Sequence, residues 1–429
     1  MEEIADLKKQ LNSFNREERV EALKKLKKLC PEPLEKTGFV NQHAHSFYSF
    51  NAYGYSPSCV AFEGYNKGLF SIGLVDFDTL DGVSEIIEAG EILGIRATAG
   101  IESRVFVSEY SEKVINSPGE KGVAYFMGVG FTEKEKKGTA GEKVINRFRE
   151  ISRERNIARL TAVNLQVDKT IGTVDYEADV LSLTPNGNAT ERHILEALDR
   201  KARAALKGKD LIGFWAKRLG EPVGKIQSLI GKSPDLQGLI RSRLFKAAGA
   251  AASYPVLDDV IKAIIDLGGI PVFAWLDGTS DGESDPAAIL SLMQAKGVVA
   301  VNIVPDRNWN IKDKEERVKK VANLNAFINT AKTLGMPLIA GTEMNKFGQS
   351  ITDNFNAGEI KNFLPDFIAG ACFFYGHTLL SRLANCGFNS EWAKKKYPLI
   401  SKRIEFYTEA GKKFEPGTKK EKLLQELGS

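Results

Sequence analysis

Two histidines separated by one residue, His43 and His45, have the side chains best suited to chemistry in this sequence. In an extended strand, residues two apart point to the same side, so both imidazoles would face one site. Two imidazoles on one side can bind a transition-metal ion, with a carboxylate completing the set of ligands. The alternative is a pair of ordinary buried histidines, and the spacing alone is compatible with both.

Carboxylates follow the next two predicted strands along the chain. Apolar runs alternate with helical segments on both sides of a long central stretch, a pattern that predicts βαβ units and a parallel sheet. In parallel barrels the functional side chains lie at the C-terminal ends of the strands. Such ends carry His43, His45, Asp76, Asp78 and Glu102. The sequence therefore predicts one functional centre at this end of an α/β fold.

Composition and charge narrow the class of protein. The chain is 43% hydrophobic and 27% charged, which is ordinary globular usage, and its net charge of +4 does not by itself argue for nucleic acid. The four cysteines have no CxxC spacing. The charged N-terminus lacks the apolar core of a signal peptide, and no apolar run has the length of a membrane span. We expect a cytoplasmic protein without membrane contact.

Helical spacing dominates two further stretches. The first 30 residues have apolar helical periodicity; Asn15 and Glu18 have capping-box spacing, and Pro31 and Pro33 end the pattern. A central stretch is rich in Lys, Arg and Glu at helical spacing, and its basic face over 134–159 is interpreted as solvated, with an anionic ligand as the alternative. The predicted organisation is a helical extension (1–36), the first part of a barrel (37–130), a mostly helical insertion (131–254), the second part of the barrel (255–400) and a tail (401–429).

Five segments resemble, in order and spacing, the motifs of the PHP superfamily, the polymerase and histidinol phosphatase domain. They read NQHAHSFYSFNAYGYSP, IGLVDFDTLDGVSE, AGIESRV, DDVIKAIIDLGGIPVFAWLDG and KTLGMPLIAGTEMN. The resemblance is to the branch of small metal-dependent phosphoesterases. It implies a distorted (β/α)7 barrel with the helical insertion and extension described above, and metal-dependent hydrolysis of phosphate esters.

The resemblance also implies a set of metal ligands. The positions that usually serve one shared metal are His43, His45, Glu102 and Glu343 here, and the last of these replaces an aspartate. The positions of further ligands are substituted, and they are Asn51, Phe77, Tyr125, Trp275 and Asn345. We therefore expect a site for one divalent ion (Mn, Zn or Fe) or none. The aromatic residues would fill the vacated volume or, as the alternative, stack on a base or sugar.

Other candidate residues each have a structural alternative. Asp76 and Asp78 are candidates for a general base, or they cap the helix that follows them. Arg104 and Arg307 would meet an anionic substrate, or they form surface ion pairs.

Three candidates lie further along the chain. Lys346 would meet the same anionic substrate. His193 partly matches a family R-P-H-I-A segment and is a candidate substrate contact, with packing as the alternative. His377 is interpreted as structural.

The function implied is hydrolysis of a small phosphorylated or anionic substrate with a reduced, one-metal site. The alternative is a catalytically inactive PHP-like protein that binds a small anionic ligand or a partner. A nucleic-acid role has only the basic insertion in its favour, and the sequence does not address the oligomeric state.

Overall fold

Seven strands form a single sheet in the computed structural model, which describes residues 2–135, 137–167, 170–245 and 254–428. They are β1 (Val40–Ala44), β2 (Ser71–Phe77), β3 (Arg96–Phe106), β4 (Val123–Val129), β5 (Ile270–Trp275), β6 (Ala300–Ile303) and β7 (Leu338–Ala340). Neighbours in the sheet follow chain order from β1 to β7. Apolar side chains at successive strand positions are buried on both faces, as is usual when helices cover a sheet.

The sheet curls until its two edges meet. Ala44, the last residue of β1, forms a parallel bridge with Glu343 just beyond β7. The amide of His45 donates to the Glu343 carbonyl at 2.8 Å, and the Glu343 amide donates to the His43 carbonyl at 2.7 Å. A Cβ atom on Gly341 would lie 2.4 Å from that of His43, so glycine allows this close approach. The prediction of a distorted barrel with helical parts is confirmed.

The prediction of a parallel sheet is wrong at β4, which runs antiparallel to both β3 and β5. The chain between β3 and β4 contains only a 3-10 turn, Ser108–Tyr110, in place of a crossover helix. A parallel pair needs a connection that returns along the sheet, usually through a helix. Without one, the chain turns back beside β3.

Seventeen α-helices surround the sheet or form the insertion within the described residues. They are α1 (Glu2–Gln10), α2 (Arg16–Leu29), α3 (Pro57–Asn66), α4 (Val83–Leu93), α5 (Ala140–Asn164), α6 (Glu191–Ala205), α7 (Gly208–Leu219), α8 (Val223–Leu229), α9 (Ser233–Ile240), α10 (Leu257–Asp266), α11 (Pro286–Ala295), α12 (Asp306–Trp309), α13 (Lys314–Thr333), α14 (Leu364–Ala384), α15 (Glu391–Lys396), α16 (Ile400–Lys413) and α17 (Lys420–Leu427). Short 3-10 turns lie at Leu181–Leu183 and Lys361–Phe363, and π-helical turns at Tyr176–Val180 and Arg241–Phe245.

The N-terminal helices pack on the barrel through a buried ion pair. The Arg19 side chain of α2 pairs with Glu85 of α4, and both are buried. The predicted cap of α2 is half correct. Asn15 accepts from the Glu17 amide, but Glu18 accepts from the Ser13 hydroxyl and so does not close a capping box.

Helices α5 to α9 form a unit with its own apolar core. Leu160, Leu195, Trp215 and Leu236 are among its buried members. The unit confirms that the insertion is mostly helical. The boundaries of the five parts of the chain (1–36, 37–130, 131–254, 255–400 and 401–429) stay a prediction. The part of the predicted insertion over 246–253 lies outside the described residues.

The helical segment Lys361–Ala384, which includes α14, is the one among the described residues that is long and apolar enough to cross a membrane, and 67% of its most apolar stretch is buried inside the fold. Glycines let it approach its neighbours. A Cβ on Gly370 would lie 1.9 Å from the Leu338 carbonyl oxygen, and one on Gly376 would lie 2.0 Å from that of Tyr407. Its apolar surface is therefore accounted for by packing against β7 and α16.

Candidate metal centre

Three side chains converge beside the end of β1, where Glu102 projects from β3 four residues before that strand ends. His43 Nε2 lies 3.4 Å from Glu102 Oε2, and His45 Nε2 lies 3.6 Å from the same oxygen. Ligands about 2.0–2.1 Å from a tetrahedral ion lie about 3.3 Å from one another. The three groups therefore have the spacing of ligands that share one ion, and all three are buried.

The hydrogen bonding of this cluster provides a second test of fit. His43 Nε2, both ring nitrogens of His45 and Glu102 Oε2 are buried without a hydrogen-bond partner among the described residues. Buried polar atoms are nearly always paired, because leaving one unpaired costs about 1–3 kcal/mol. A divalent ion would satisfy one atom of each residue at once, namely His43 Nε2, one ring nitrogen of His45 and Glu102 Oε2, so the residues present fit a metal ion.

Burial and mutual interaction set the charges in the cluster. Burial raises the pKa of Glu102. Burial opposes a charge on His43, but the carboxylate of Glu102 outweighs it and raises the pKa of His43. Burial, and then the proximity of His43, lower the pKa of His45 well below its usual range. The low pKa of His45 favours its neutral form, which is the form that binds a metal, whereas the carboxylate of Glu102 favours a proton on His43.

The fourth predicted ligand, Glu343, is not part of this cluster within the described residues. Its carboxylate instead lies 3.5 Å from the Arg307 guanidinium. Its backbone has φ of 60°, and Met344 and Asp78 also have positive φ. Such conformations in residues other than glycine cost about 1–3 kcal/mol and are often found at functional sites. The assignment of Glu343 as a ligand stays a prediction.

A cavity of about 1010 Å3 lies between the barrel end and the helical insertion, and Glu102 is in its wall. Seven cationic side chains line it against five acidic ones. The cations are Arg104, Lys121, Arg155, Arg159, Arg192, Arg241 and Arg307, and the acids are Asp78, Glu102, Glu120, Glu191 and Glu343. The lining favours a ligand of negative charge.

Two of these arginines form no ion pair with any described carboxylate. Arg155 donates to the Tyr254 hydroxyl at 2.8 Å, and Arg192 makes no ion pair within the described part of the chain. Burial and the neighbouring charge of Arg241 lower the pKa of Arg192. Cations crowded in this way are stabilised when an anion binds between them.

Arg104 and Arg307, both predicted to meet an anionic substrate, line the cavity. Arg104 is not a surface residue. It donates to the hydroxyls of Tyr254 and Tyr125, at 3.0 and 3.1 Å, and pairs with Glu120 at 3.1 Å. The structure thus brings both arginines to the same cavity as Glu102, and their contact with substrate stays a prediction.

The two candidate bases have different surroundings. Asp76 is buried and does not line the cavity, and it accepts hydrogen bonds from the Ser46 amide and from the hydroxyls of Ser46 and Ser49, all at 2.7 Å. Asp78 lines the cavity, accepts from the Ser103 hydroxyl at 2.6 Å, and has its pKa raised by burial. The alternative that they cap the next helix is wrong, because α4 has Gly82 as its N-cap and no side-chain cap.

Two other candidates for substrate contact do not line the cavity. His193 is buried, its Nδ1 accepts from the Thr190 amide at 3.0 Å, and burial lowers its pKa to about 3. Lys346 is exposed. The packing role for His193 accounts for its contacts. His377, interpreted as structural, is buried and is bonded to the backbone of Gly130.

The residues at substituted ligand positions have packing or backbone contacts of their own. Phe77 stacks on His45, with ring centroids 4.4 Å apart and planes at 17°. Trp275 is fully buried and stacks on Phe327. Asn51 donates to the His45 carbonyl at 2.8 Å and orders the next turn. Phe77, Tyr125 and Asn345 line the cavity. Stacking of Phe77 or Tyr125 on a base or sugar therefore stays a prediction.

Several cavity residues were not predicted from the sequence. Arg155 and Arg159 lie four positions apart on α5, within the basic face that was interpreted as solvated. Arg192 and Arg241 come from separate elements of the insertion. The spacing of Arg155 and Arg159 indicates that they share one face of α5. Only the tertiary fold shows that this face lines the cavity.

No family model and no curated protein matches the sequence. Among solved structures, the fold is similar to an amidohydrolase from Chromobacterium violaceum, solved with bound sulfate and no metal. It has 18% identity and a TM-score of 0.46 and covers 72% of this chain and 88% of that chain. A protein from Bifidobacterium adolescentis described as a metal-dependent phosphoesterase has 16% identity and a TM-score of 0.47, covering 76% and 96%. At these values the likenesses say nothing about substrate or mechanism, and membership of the PHP superfamily stays a prediction.

Proposed function

We propose that this protein is a metal-dependent hydrolase that cleaves a phosphate ester of a small anionic substrate at a one-metal site. The observation that carries the proposal is the cluster of His43, His45 and Glu102. Its buried, unpartnered ligand atoms meet at the wall of a cavity rich in arginine. A divalent ion held there would supply Lewis-acid polarisation of a phosphoryl oxygen and activation of water.

Asp78 is the residue best placed to accept a proton. It lines the same cavity as Glu102, and burial raises the pKa of its carboxyl. A carboxylate with a raised pKa is a stronger base near neutral pH. Its hydrogen bond from Ser103 holds the carboxylate in place. Asp76 is the second candidate, because burial raises its pKa to about 6 despite its three hydrogen bonds, but it does not line the cavity.

The arginines would bind and orient the substrate. Arg155 and Arg192, which have no ion-pair partner among the described residues, are open to a phosphate group. The guanidinium group presents a planar set of donors that matches phosphate oxygens. Arg307, whose guanidinium lies 3.5 Å from the Glu343 carboxylate, would provide a positive charge at the end of the cavity that contains Glu102. This arrangement favours an anionic substrate over a neutral one.

The test is a screen of phosphate mono- and diesters with protein loaded with Mn2+, Zn2+ or Fe2+. We expect turnover with at least one metal, none after chelation, and loss of turnover in His43→Ala. Asp78→Asn should lower kcat while metal content is unchanged. Absence of bound metal together with absence of turnover under all three metals would contradict the proposal.

The packing of Phe77, Tyr125 and Trp275 favours a second candidate, an inactive protein that binds a small anion. These side chains stand where the family resemblance implies further ligands, and each has a stable contact of its own. Binding of a phosphorylated compound without turnover, unchanged by chelation and by His43→Ala, would support this candidate over the hydrolase.

A further inference from the structure

We propose that Asn302 is a positioning residue that fixes the ring and the tautomer of His43 for metal binding. The proposal rests on the proposed function, because it concerns the same metal site. Asn302 lies in β6, between β5 and β7, and pairs in register with Ala274 and Ile339. Its side chain is therefore attached to a rigid, central part of the barrel.

The contact between the two residues is close and buried. Asn302 Nδ2 lies 3.0 Å from His43 Nδ1, and both residues are 1% exposed. The Asn302 Oδ1 atom has no hydrogen-bond partner within the described part of the chain. The other ring nitrogen of His43, Nε2, is the atom that faces Glu102. Asn302 thus sits on the side of the imidazole opposite the proposed metal.

A neutral imidazole that offers the lone pair of Nε2 to a metal must carry its proton on Nδ1. That proton needs an acceptor, because a buried N–H without one is costly. A half-turn of the Asn302 carboxamide exchanges Nδ2 and Oδ1, and the oxygen then accepts from Nδ1–H. In the other orientation Nδ2 donates to Nδ1 and places the proton on Nε2. The orientation of one amide therefore selects whether Nε2 is free to bind.

His45 is held in a different way, since its ring stacks on Phe77. Stacking fixes the plane of a ring but does not choose between its two tautomers. Removal of the Asn302 amide should therefore act on the site through His43. Partners of this kind typically contribute about 10–100-fold to metal affinity.

The experiment is a titration of the full-length, metal-free protein with Zn2+ and Co2+ by calorimetry, together with the visible absorption spectrum of bound Co2+. Asn302→Leu keeps the approximate volume and removes every hydrogen-bonding atom. We expect its affinity for both metals to fall about 10–100-fold, with a shifted Co2+ spectrum. Asn302→Asp retains an acceptor for Nδ1–H and should keep affinity within about threefold of wild type, or exceed it.

Asn156→Leu is the matched control, because Asn156 is equally buried but bonds to the Ala189 carbonyl within the insertion. It should leave metal affinity unchanged. The role of Asn302 would be overturned, and the metal site would stand, in either of two cases. In the first, the wild type binds metal and Asn302→Leu binds it equally tightly. In the second, Asn302→Asp loses as much affinity as Asn302→Leu. No binding to the wild type would overturn the metal site and the proposed function with it. If circular dichroism shows that Asn302→Leu does not fold, Asn302→Asp tests the role by itself, and a loss of metal affinity beyond about threefold in that variant would overturn it.

Discussion

His43 Nε2 and Glu102 Oε2 lie 3.4 Å apart, and neither atom has a hydrogen-bond partner among the described residues. If these atoms share a metal ion, Glu102→Gln replaces a charged ligand with a neutral amide of the same shape. Removal of a residue that only hydrogen-bonds to a metal ligand typically lowers metal affinity about 10–100-fold. Because Glu102 would be a ligand itself, we expect Zn2+ affinity to fall by more than about 100-fold. Calorimetric titration of the metal-free protein measures this.

Glu120→Gln is the control for that change. Glu120 is also a cavity carboxylate, but its partners are Arg104, Ser117 and Tyr254. Its substitution should leave Zn2+ affinity within error of the wild type. Equal loss in both variants would mean that the overall charge of the cavity, and not the ligand set, governs metal affinity.

Removal of Arg192 should weaken anion binding. Its charge has no ion-pair partner within the described chain, so binding an anion would satisfy it without breaking a native pair. A hydrogen bond to a charged group contributes about 1.5–3 kcal/mol, so Arg192→Gln should raise the Kd for inorganic phosphate at least about tenfold. Arg147→Gln, on the solvent side of α5, should have no effect. Unchanged phosphate affinity in Arg192→Gln would exclude this residue from the anion site.

Asp353 makes stability depend on pH. Burial, and then the charge of Asp306, raise its pKa to about 6, and its Oδ2 atom has no hydrogen-bond partner among the described residues. The folded protein keeps a proton there that the unfolded chain has released, so the free energy of unfolding falls as pH rises from about 4 to about 6. At 1.36 kcal/mol per pKa unit the fall is on the order of 3 kcal/mol.

Asp353→Asn should remove that dependence. The amide oxygen can still accept from the Trp309 indole, whose nitrogen lies 3.0 Å from Asp353 Oδ1. Urea unfolding at several pH values measures the difference between wild type and variant. Parallel pH profiles for the two proteins would contradict a raised pKa for Asp353 in the folded protein.

Trp275 stabilises the barrel where the resemblance implies a histidine ligand. It is fully buried and stacks on Phe327 with centroids 4.4 Å apart. Trp275→Ala should lower the free energy of unfolding by about 3–5 kcal/mol, as for other large buried side chains. Trp392→Ala, at a partly exposed position, should cost clearly less. Similar costs for the two variants would contradict a packing role for Trp275.

Local sequence pattern was enough to predict most of the barrel. The strands that carry His43, Asp76 and Glu102 contain apolar runs followed by polar residues, and such runs are visible without a structure. The direction of β4 was not predictable, because a strand has the same local pattern whichever way it runs. Helix α14 has apolar residues on all sides, so it lacks the periodicity that marks surface helices.

The candidate site was predictable only in part. Two histidines at a spacing of two and a carboxylate after an apolar run carry a local signal, and the structure brings all three together. Asn302 carries no such signal, since it lies 259 positions from His43 and only the closed barrel puts them in contact. The same holds for Arg155 and Arg192, because the insertion must fold over the barrel before they share a cavity with Glu102.

The number of metal ions bound per chain tests the central claim most directly. Wild-type protein, stripped of metal and titrated with Zn2+ or Mn2+ by calorimetry, should bind one ion per chain with high affinity. The double variant His43→Ala/His45→Ala should bind none at that site while retaining the wild-type circular dichroism spectrum. A wild-type protein that binds no ion, or a double variant that binds as tightly as the wild type, would contradict a metal centre at these residues.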